Sequence, residues 1–340
     1  MLAVRVNQWM PYHDLRVEEV PDPTPGQGEV RIAVHYAGVS FATSLVTEGK
    51  YQRKPPLPFS PGTEVAGTID QVGPGVTRFK PGDRVVAGID WGGHAEYAVT
   101  DASTAYLLPD ELPFDIAPSL PASYGTSCAA LSQRARLQSG ETLLVHGAAG
   151  AVGLAAVEIG KALGATVVAT ASTEAKLALA TSHGADRTVL FPSATALADL
   201  KAMLPDGAQV VFDPIGSDAF DLSLRCVANS GRILVIGFAG GRVQQIPANI
   251  ILVKDVAILG FNFGSYTGWT RDTSRRSTHG SEMHAVMEQL FAWFQQGKIK
   301  PVTSHRFPLS GYREAMDTVL SRRSMGKVVL EMPVVTRTTP

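Results

Sequence analysis

Two cysteines in 340 residues exclude a disulfide framework, and Cys128 and Cys226 sit among apolar neighbours, where cysteine acts as a small core residue. Metal-binding spacing is missing too. The eight histidines form no C-x-x-C, H-x-H or H-E-x-x-H pattern, so no metal cage is visible. Charge is sparse: 18% of residues are charged, against about 25% in an average domain. The net charge of −1 leaves no electrostatic footprint for nucleic acid. The densest basic run, Arg271 to Arg276, is interrupted by Asp272 and reads as a solvated loop. Apolar runs all fall short of the roughly 18 residues that span a bilayer, and the first residues, Met1-Leu2-Ala3-Val4-Arg5-Val6, alternate like a strand rather than a signal peptide. The expectation is a cytoplasmic protein with no nucleic-acid or membrane partner.

What is present is apolar surface, at 45% of residues, in a chain long enough for two domains. Up to about Pro121 the text consists of short alternating strands cut by proline and glycine: Val30 to Tyr36, Glu64 to Val72, Arg84 to Ala87 and His94 to Val99. Turns at Pro25-Gly26, Pro74-Gly75 and Pro81-Gly82 separate them, which predicts a small β-barrel. From about Ala122 to Asn262 strands alternate with helices, with later strands at Val210 to Asp213, Arg232 to Gly237 and Val256 to Phe261. That is the pattern of a doubly wound α/β domain. An amphipathic helix is expected over Ser281 to Gln296, then a return strand, Lys327 to Met332, closing the first domain. The predicted division is 1–121 with 263–340, and 122–262 inserted between them.

The most informative stretch is Glu141 to Lys176. A strand (Thr142-Leu143-Leu144-Val145-His146) leads into the turn Gly147-Ala148-Ala149-Gly150-Ala151-Val152-Gly153, a small-residue helix to about Leu163, and a second strand from Ala165 to Ala171. Glycines between strand and helix let the backbone approach a dinucleotide pyrophosphate, whose charge meets the free N–H groups of the helix start. The end of the second strand bears on the choice of cofactor. Binders selective for NAD carry a carboxylate there for the ribose 2′-hydroxyl. This chain has Ala171, Ser172 and Thr173, with Lys176 one turn later, and hydroxyls with an ammonium suit a 2′-phosphate. The other reading of Ser172 or Thr173 is a helix N-cap with Lys176 on a solvated face, and both hold together. Glu174 is discordant if it turns toward the phosphate. The expected cofactor is NADPH.

These segments resemble the medium-chain dehydrogenase/reductase superfamily, and within it the zinc-independent quinone oxidoreductase branch. The resemblance rests on ordered blocks: Gly38-Val39-Ser40-Phe41, Gly49-Lys50-Tyr51, Pro55 to Phe59, Pro61-Gly62-Thr63-Glu64-Val65-Ala66-Gly67, Gly82-Asp83-Arg84-Val85, Gly92 to Tyr97, the glycine turn, and Gly231-Arg232 through Gly237-Phe238. It implies a GroES-like β-barrel catalytic domain joined to a Rossmann domain. Zinc-dependent relatives carry His and Cys where this chain has Thr63 and Ser40, and a four-cysteine lobe where it has Asp101 to Thr104. Both zinc cages are therefore expected to be absent, with Thr63 and Glu64 read as plain packing at a strand start. Departures from the branch are Ser40 in place of Asn, Leu45 in place of a larger residue, Ala151 in place of Gly, and Phe191 in place of Tyr or His.

By family position the resemblance assigns Ala149, Gly150, Ala151 and Val152 to the pyrophosphate and Ser172 and Lys176 to the 2′-phosphate. It assigns Ser40 and Thr126 to the nicotinamide side, and it counts Ile236, Gly237, Phe238, Phe261, Asn262, Phe263 and Arg322 among the cofactor-binding positions. Phe238 and Phe263 could equally be core aromatics, although their position after strand ends favours the site. Without a metal, the implied chemistry is hydride transfer to an activated acceptor, a quinone or α,β-unsaturated carbonyl, whose developing charge needs only a few donors. Ser40 and Tyr51 are the candidate catalytic donors, and Tyr51 reads equally well as an apolar wall. The rivals are a 2-enoyl-thioester reductase and an NADPH-binding structural or regulatory protein with little turnover. The apolar strand at Val256 to Phe261 falls last in its sheet, where an uncovered edge invites pairing, and relatives pair that edge. A homodimer is expected, the other reading being an edge covered by the loop Ser265 to Gly280.

Overall fold

Alternation governs the first strands. In the computed structural model, which describes residues 1–270 and 275–333, β1 (Leu2–Arg5) and β2 (Arg16–Glu19) form a two-stranded antiparallel sheet. The long strand β3 (Glu29–Val39) then buries Val30, Ile32 and Val34 in alternation. Its pairing with β4 (Glu64–Val72) shifts between Val34 and Tyr36, so that His35 is an extra residue in the ladder. Beyond that bulge Ala37, Gly38 and Val39 are buried together. The sequence had the strand stopping at Tyr36, because a bulge breaks the two-residue period by which strands are read. A turn at Ser40 starts α1 (Phe41–Thr47). The remaining strands here are β5 (Arg84–Gly88), β6 (Tyr97–Asp101) and β7 (Ala105–Leu107). The strand expected from His94 thus begins at Tyr97, and His94 is instead buried in the approach to it.

A helical stretch from Leu120 to Arg134, with α2 (Gly125–Cys128) at its centre, opens the alternating part. There follow β8 (Thr142–Val145), α3 (Ala151–Ala162), β9 (Thr166–Ala171), α4 (Glu174–Ser182), β10 (Arg187–Leu190), α5 (Ala196–Met203), β11 (Ala208–Asp213), α6 (Ser217–Cys226), β12 (Val227–Val235), α7 (Ala248–Lys254) and β13 (Ala257–Gly260). The six strands form one sheet in the order β10-β9-β8-β11-β12-β13, every neighbouring pair parallel. That is the doubly wound dinucleotide-binding order, with its switch point between the first and fourth strands of the set. β13 is its last strand, with Ala257 and Gly260 exposed and Ile258 and Leu259 half-buried.

The return consists of α8 (Gly264–Thr267), α9 (Arg275–Gln295), β14 (Thr303–Pro308), α10 (Tyr312–Leu320) and β15 (Lys327–Glu331). β15 pairs antiparallel with β3, completing a sheet in the order β14-β15-β3-β4-β5-β7, with β6 also on β3. Two compact units result: residues 1–122, 264–291 and 302–340 in one, and 123–263 with 292–301 in the other. We call them the barrel unit and the sheet unit. The return therefore differs from the expected continuous 263–340, because the end of α9 and residues to Pro301 join the sheet unit. Trp293 and Ile299 are buried, and the Lys300 N–H donates to Glu158 Oε1 at 2.9 Å. The helix expected over Ser281 to Gln296 begins earlier, at Arg275. Of the supposed loop Arg271 to Arg276, residues 271–274 lie outside the described residues. Arg275 and Arg276 belong to α9, and Arg276 is ion-paired rather than solvated.

Candidate functional site

In the sheet unit the glycine turn makes a cradle of small residues at the start of α3. Gly147 adopts φ 61°, and a Cβ on Gly153 would lie 2.2 Å from the Gly147 carbonyl oxygen. Only glycine fits the turn where helix meets strand. Gly150 is the N-cap of α3 and makes no side-chain capping bond, so the first N–H groups of the helix have no intrahelical acceptor. Ala149 is buried, while Gly150, Ala151 and Val152 are half-buried at the mouth of the turn. The Ser127 hydroxyl in α2 donates to the Val152 carbonyl at 2.8 Å, which ties the turn to that helix and leaves Thr126 half-buried beside it. A backbone cradle at a helix start fits a pyrophosphate.

After β9, Thr173 is the N-cap of α4, its hydroxyl accepting the Lys176 N–H at 3.3 Å. Ser172 is left exposed, and Lys176 Nζ stands 3.5 Å from its hydroxyl. Cap and candidate phosphate group are thus different residues, and Glu174 is exposed in the first turn. Ile236 and Gly237, just past β12, are half-buried, and Phe238 is 44% exposed. Phe261 is 7% exposed, with its ring centroid 6.4 Å from that of half-buried Phe263, and Asn262 between them is exposed. Phe261 is accordingly a buried aromatic beside a half-buried one. Phe191 is half-buried, 6.2 Å from the His146 ring. That histidine is fully buried between the Thr170 and Ser223 hydroxyls, at 2.9 and 3.0 Å. Arg322 lies in the barrel unit, exposed, with φ 58° just past α10.

The barrel unit gathers a small cavity lined by Ser40, Thr43, Val46, Pro61, Gly62, Thr63, Asp90, Trp91 and Trp269. Ser40 reaches it because the bulged β3 ends there and turns into α1. Its hydroxyl makes no capping bond and sits 3.2 Å from the Thr43 hydroxyl. Tyr51 is half-buried with its ring centroid 4.6 Å from that of Trp269, and burial raises its pKa above the usual 10. A phenol held neutral is a hydrogen-bond donor at pH 7. Asp90 is fixed from both sides: Arg53 Nη2 donates to Oδ2 at 2.9 Å and Arg276 to Oδ1. Its carbonyl accepts the indole N–H of Trp269 at 2.8 Å. The sequence offered no signal for Asp90, Trp91 or Trp269, which come together from distant segments.

Behind the cavity, Glu64 is no ordinary packing residue. It is 1% exposed and ion-paired with Lys327, itself 3% exposed, while its Oε1 has no hydrogen-bond partner. This corrects its reading as strand-start packing. His94 is buried, its Nε2 donating to the Gly38 carbonyl at 3.1 Å. Burial depresses its pKa from 6.5 to about 4, with that hydrogen bond opposing and the Lys327 charge adding to the depression. A Cβ on Gly62, whose φ is 95°, would lie 2.4 Å from the His94 ring, so glycine is needed there for both reasons.

Two family models match the chain: the alcohol dehydrogenase GroES-like domain over residues 26–110 and the zinc-binding dehydrogenase over 151–277. Zinc does not fit the donors present. The cavity offers the hydroxyls of Ser40, Thr43 and Thr63 and one carboxylate, Asp90, which is already paired with Arg53 and Arg276, and among the described residues no three His, Cys, Asp or Glu side chains stand together as a metal site. Quinone oxidoreductase-like protein 2 of the rat is 37% identical over 320 residues, 94% of this chain and 89% of that one. A mycobacterial protein solved in complex with NADPH is 30% identical, with a TM-score of 0.87 over 97% of this chain and 100% of the other. The Escherichia coli quinone oxidoreductase, also solved with NADPH, is 26% identical, with a TM-score of 0.86 over 97% and 100%. With the bulged strand, the doubly wound order and the glycine cradle, these likenesses show that the chain belongs to the quinone oxidoreductase family of medium-chain dehydrogenases/reductases.

Proposed function

We propose that the protein is a zinc-independent, NADPH-dependent reductase acting on a quinone or an α,β-unsaturated carbonyl. The observation that carries the cofactor choice is the end of β9. There Ser172 and Lys176 face each other at 3.5 Å, and the carboxylate that would repel a 2′-phosphate is missing. The two relatives solved with NADPH support the same reading. When bound, NADPH supplies a hydride and leaves as NADP⁺. The turn 147–153 binds the pyrophosphate through backbone N–H groups, and Ser172 and Lys176 hold the 2′-phosphate.

On the acceptor side, Ser40 and Tyr51 are the donors. Two electrons arriving with the hydride leave negative charge on the acceptor oxygen. A hydrogen bond from a neutral phenol or a hydroxyl stabilises that charge, and a proton from water completes the hydroquinone or the saturated carbonyl. No Lewis acid is required for an acceptor already activated by conjugation, which agrees with the hydroxyl donors at Ser40 and Thr63. Steady-state NADPH oxidation with quinones, enals and enoyl-CoA esters, alongside elemental analysis for zinc, tests the reading. Turnover of quinones or enals without stoichiometric zinc is expected. Turnover of enoyl thioesters alone would shift the assignment to a 2-enoyl-thioester reductase, and no turnover would leave a binding protein.

The assembly proposed is a homodimer through β13. That strand ends its sheet, and in the neighbouring α7 Leu252 is 82% and Val253 80% exposed, apolar surface that a partner would cover. Light scattering is expected to give a dimer for the wild type and a shift toward monomer for Ile258→Pro, since proline removes a ladder donor. A monomeric wild type at micromolar concentration would overturn the proposal.

A further inference from the structure

The barrel cavity is small. Its free volume of about 10 Å³ is at the limit for one water molecule, roughly 10–15 Å³, and no conjugated ring enters such a space. Trp269 is, together with Trp91, the largest side chain lining it. Its ring is held at two points, by Tyr51 at a centroid distance of 4.6 Å and by the Asp90 carbonyl, which takes its N–H at 2.8 Å. The backbone carrying it is held too. Arg53 donates to the Gly268 carbonyl at 3.0 Å and Arg276 to the Thr267 carbonyl at 2.9 Å, while both arginines share the Asp90 carboxylate. Arg53 also lies over the Trp91 ring, 5.1 Å from its centroid.

These contacts differ in kind. The arginine clamp fixes the backbone at Thr267 and Gly268 with charge-assisted bonds, which are the strong ones. The indole itself carries no charge-assisted bond: it makes one neutral hydrogen bond and one ring contact, each worth about 1 kcal/mol, and packs half-buried against the barrel core. Trp269 is therefore a half-buried side chain whose ring is held by uncharged contacts while its base is anchored by charged ones. What it covers is the face of Tyr51, and a flat conjugated ring recovers the same stacking when it takes the place of the indole.

Building on the proposed reductase activity, we infer that Trp269 is a shutter that sets acceptor specificity, and that the acceptor is a planar ring stacking on Tyr51 in place of the indole. Asp90, with Arg53 and Arg276, positions the shutter and takes no part in the chemistry. A slender acceptor without a ring gains nothing from displacing it.

The test compares kcat/KM for a two-ring quinone with that for a short-chain enal in the wild type, Trp269→Ala and Trp269→Phe, with NADPH affinity measured in each as a check on folding. Loss of the indole is expected to raise the quinone-to-enal ratio by about tenfold, within the range hydrophobic pocket contacts command, chiefly through a lower KM for the quinone. Trp269→Phe keeps a ring but loses the bond to Asp90, and it is expected to fall between the two. If Trp269→Ala loses NADPH affinity through misfolding, the phenylalanine variant carries the test, and an unchanged ratio there overturns the inference. A ratio that stays constant in both variants, or an equal change for both acceptors, also overturns it. A wild type that oxidises NADPH with neither acceptor defeats the reductase reading itself, a distinct outcome.

Discussion

Both units bury a glutamate, and they satisfy it differently. In the sheet unit Glu158, 3% exposed, accepts the Tyr124 hydroxyl at 2.5 Å, His183 Nδ1 at 2.6 Å and the Lys300 N–H at 2.9 Å. Its charge is spread over three donors, and it fastens the helical stretch before β8, the end of α4 and the returning chain to one side chain. In the barrel unit Glu64 faces Lys327, with Oε1 left without a partner. A carboxylate with several donors tolerates the loss of one, whereas one that leans on a single ammonium does not. The buried glutamate of the barrel, packed against Gly38 in the strand that leads to Ser40, thus depends on one contact.

The largest expected effect breaks that contact. Lys327→Met leaves the Glu64 charge buried without its counter-ion and is expected to cost about 3–5 kcal/mol of unfolding free energy. Adding Glu64→Gln should recover most of it, because the uncompensated charge is then gone. Denaturant unfolding of the single and double variants measures this, and equal losses in both would remove the contrast between the units.

A pH titration sharpens the comparison further. His94 in the barrel titrates at about 4 rather than 6.5 because burial disfavours its charged form, and burial lowers the pKa of His146 in the sheet unit likewise. A depressed folded-state pKa means that the unfolded chain binds the proton first. The His94 contribution is therefore complete above about pH 6.5 and is lost as pH falls toward 4, by up to roughly 3 kcal/mol. Stability measured from pH 7 to 4 should decline less steeply in a His94→Gln variant, and an unchanged slope would contradict the assignment.

The smallest effect lies at the surface of the sheet unit. Lys176→Ala is expected to weaken NADPH binding by about 1–3 kcal/mol, the worth of a hydrogen bond to a charged group, and to leave NADH binding nearly unchanged. Fluorescence titration with both cofactors measures the difference, and an equal loss for the two would end the 2′-phosphate assignment.

The same contrast explains what the sequence reveals. The nucleotide cradle is local: Gly147, Gly150, Gly153, Ser172 and Lys176 fall within one strand–helix–strand unit, so spacing alone brings them together. The barrel cavity is assembled from afar. Trp269 meets Asp90 across 179 positions and Lys327 meets Glu64 across 263, and nothing in the period of a single strand announces either pair. Ser40 was legible through its family block, while Asp90 and Trp269 lie in none of those blocks. A phenylalanine after a strand end, such as Phe261 or Phe263, looks alike in sequence whether it faces a ligand or the core.

The pairing of β15 with β3 also orders events in time. A ribosome delivers β3 and Glu64 long before β15 with Lys327, whereas the six strands of the doubly wound sheet have emerged by Gly260. Until the last strand arrives, the nascent barrel has an open sheet edge and a carboxylate whose counter-ion has not yet been made. The inserted sheet is complete at that stage, so the younger part of the chain can finish folding before the older part.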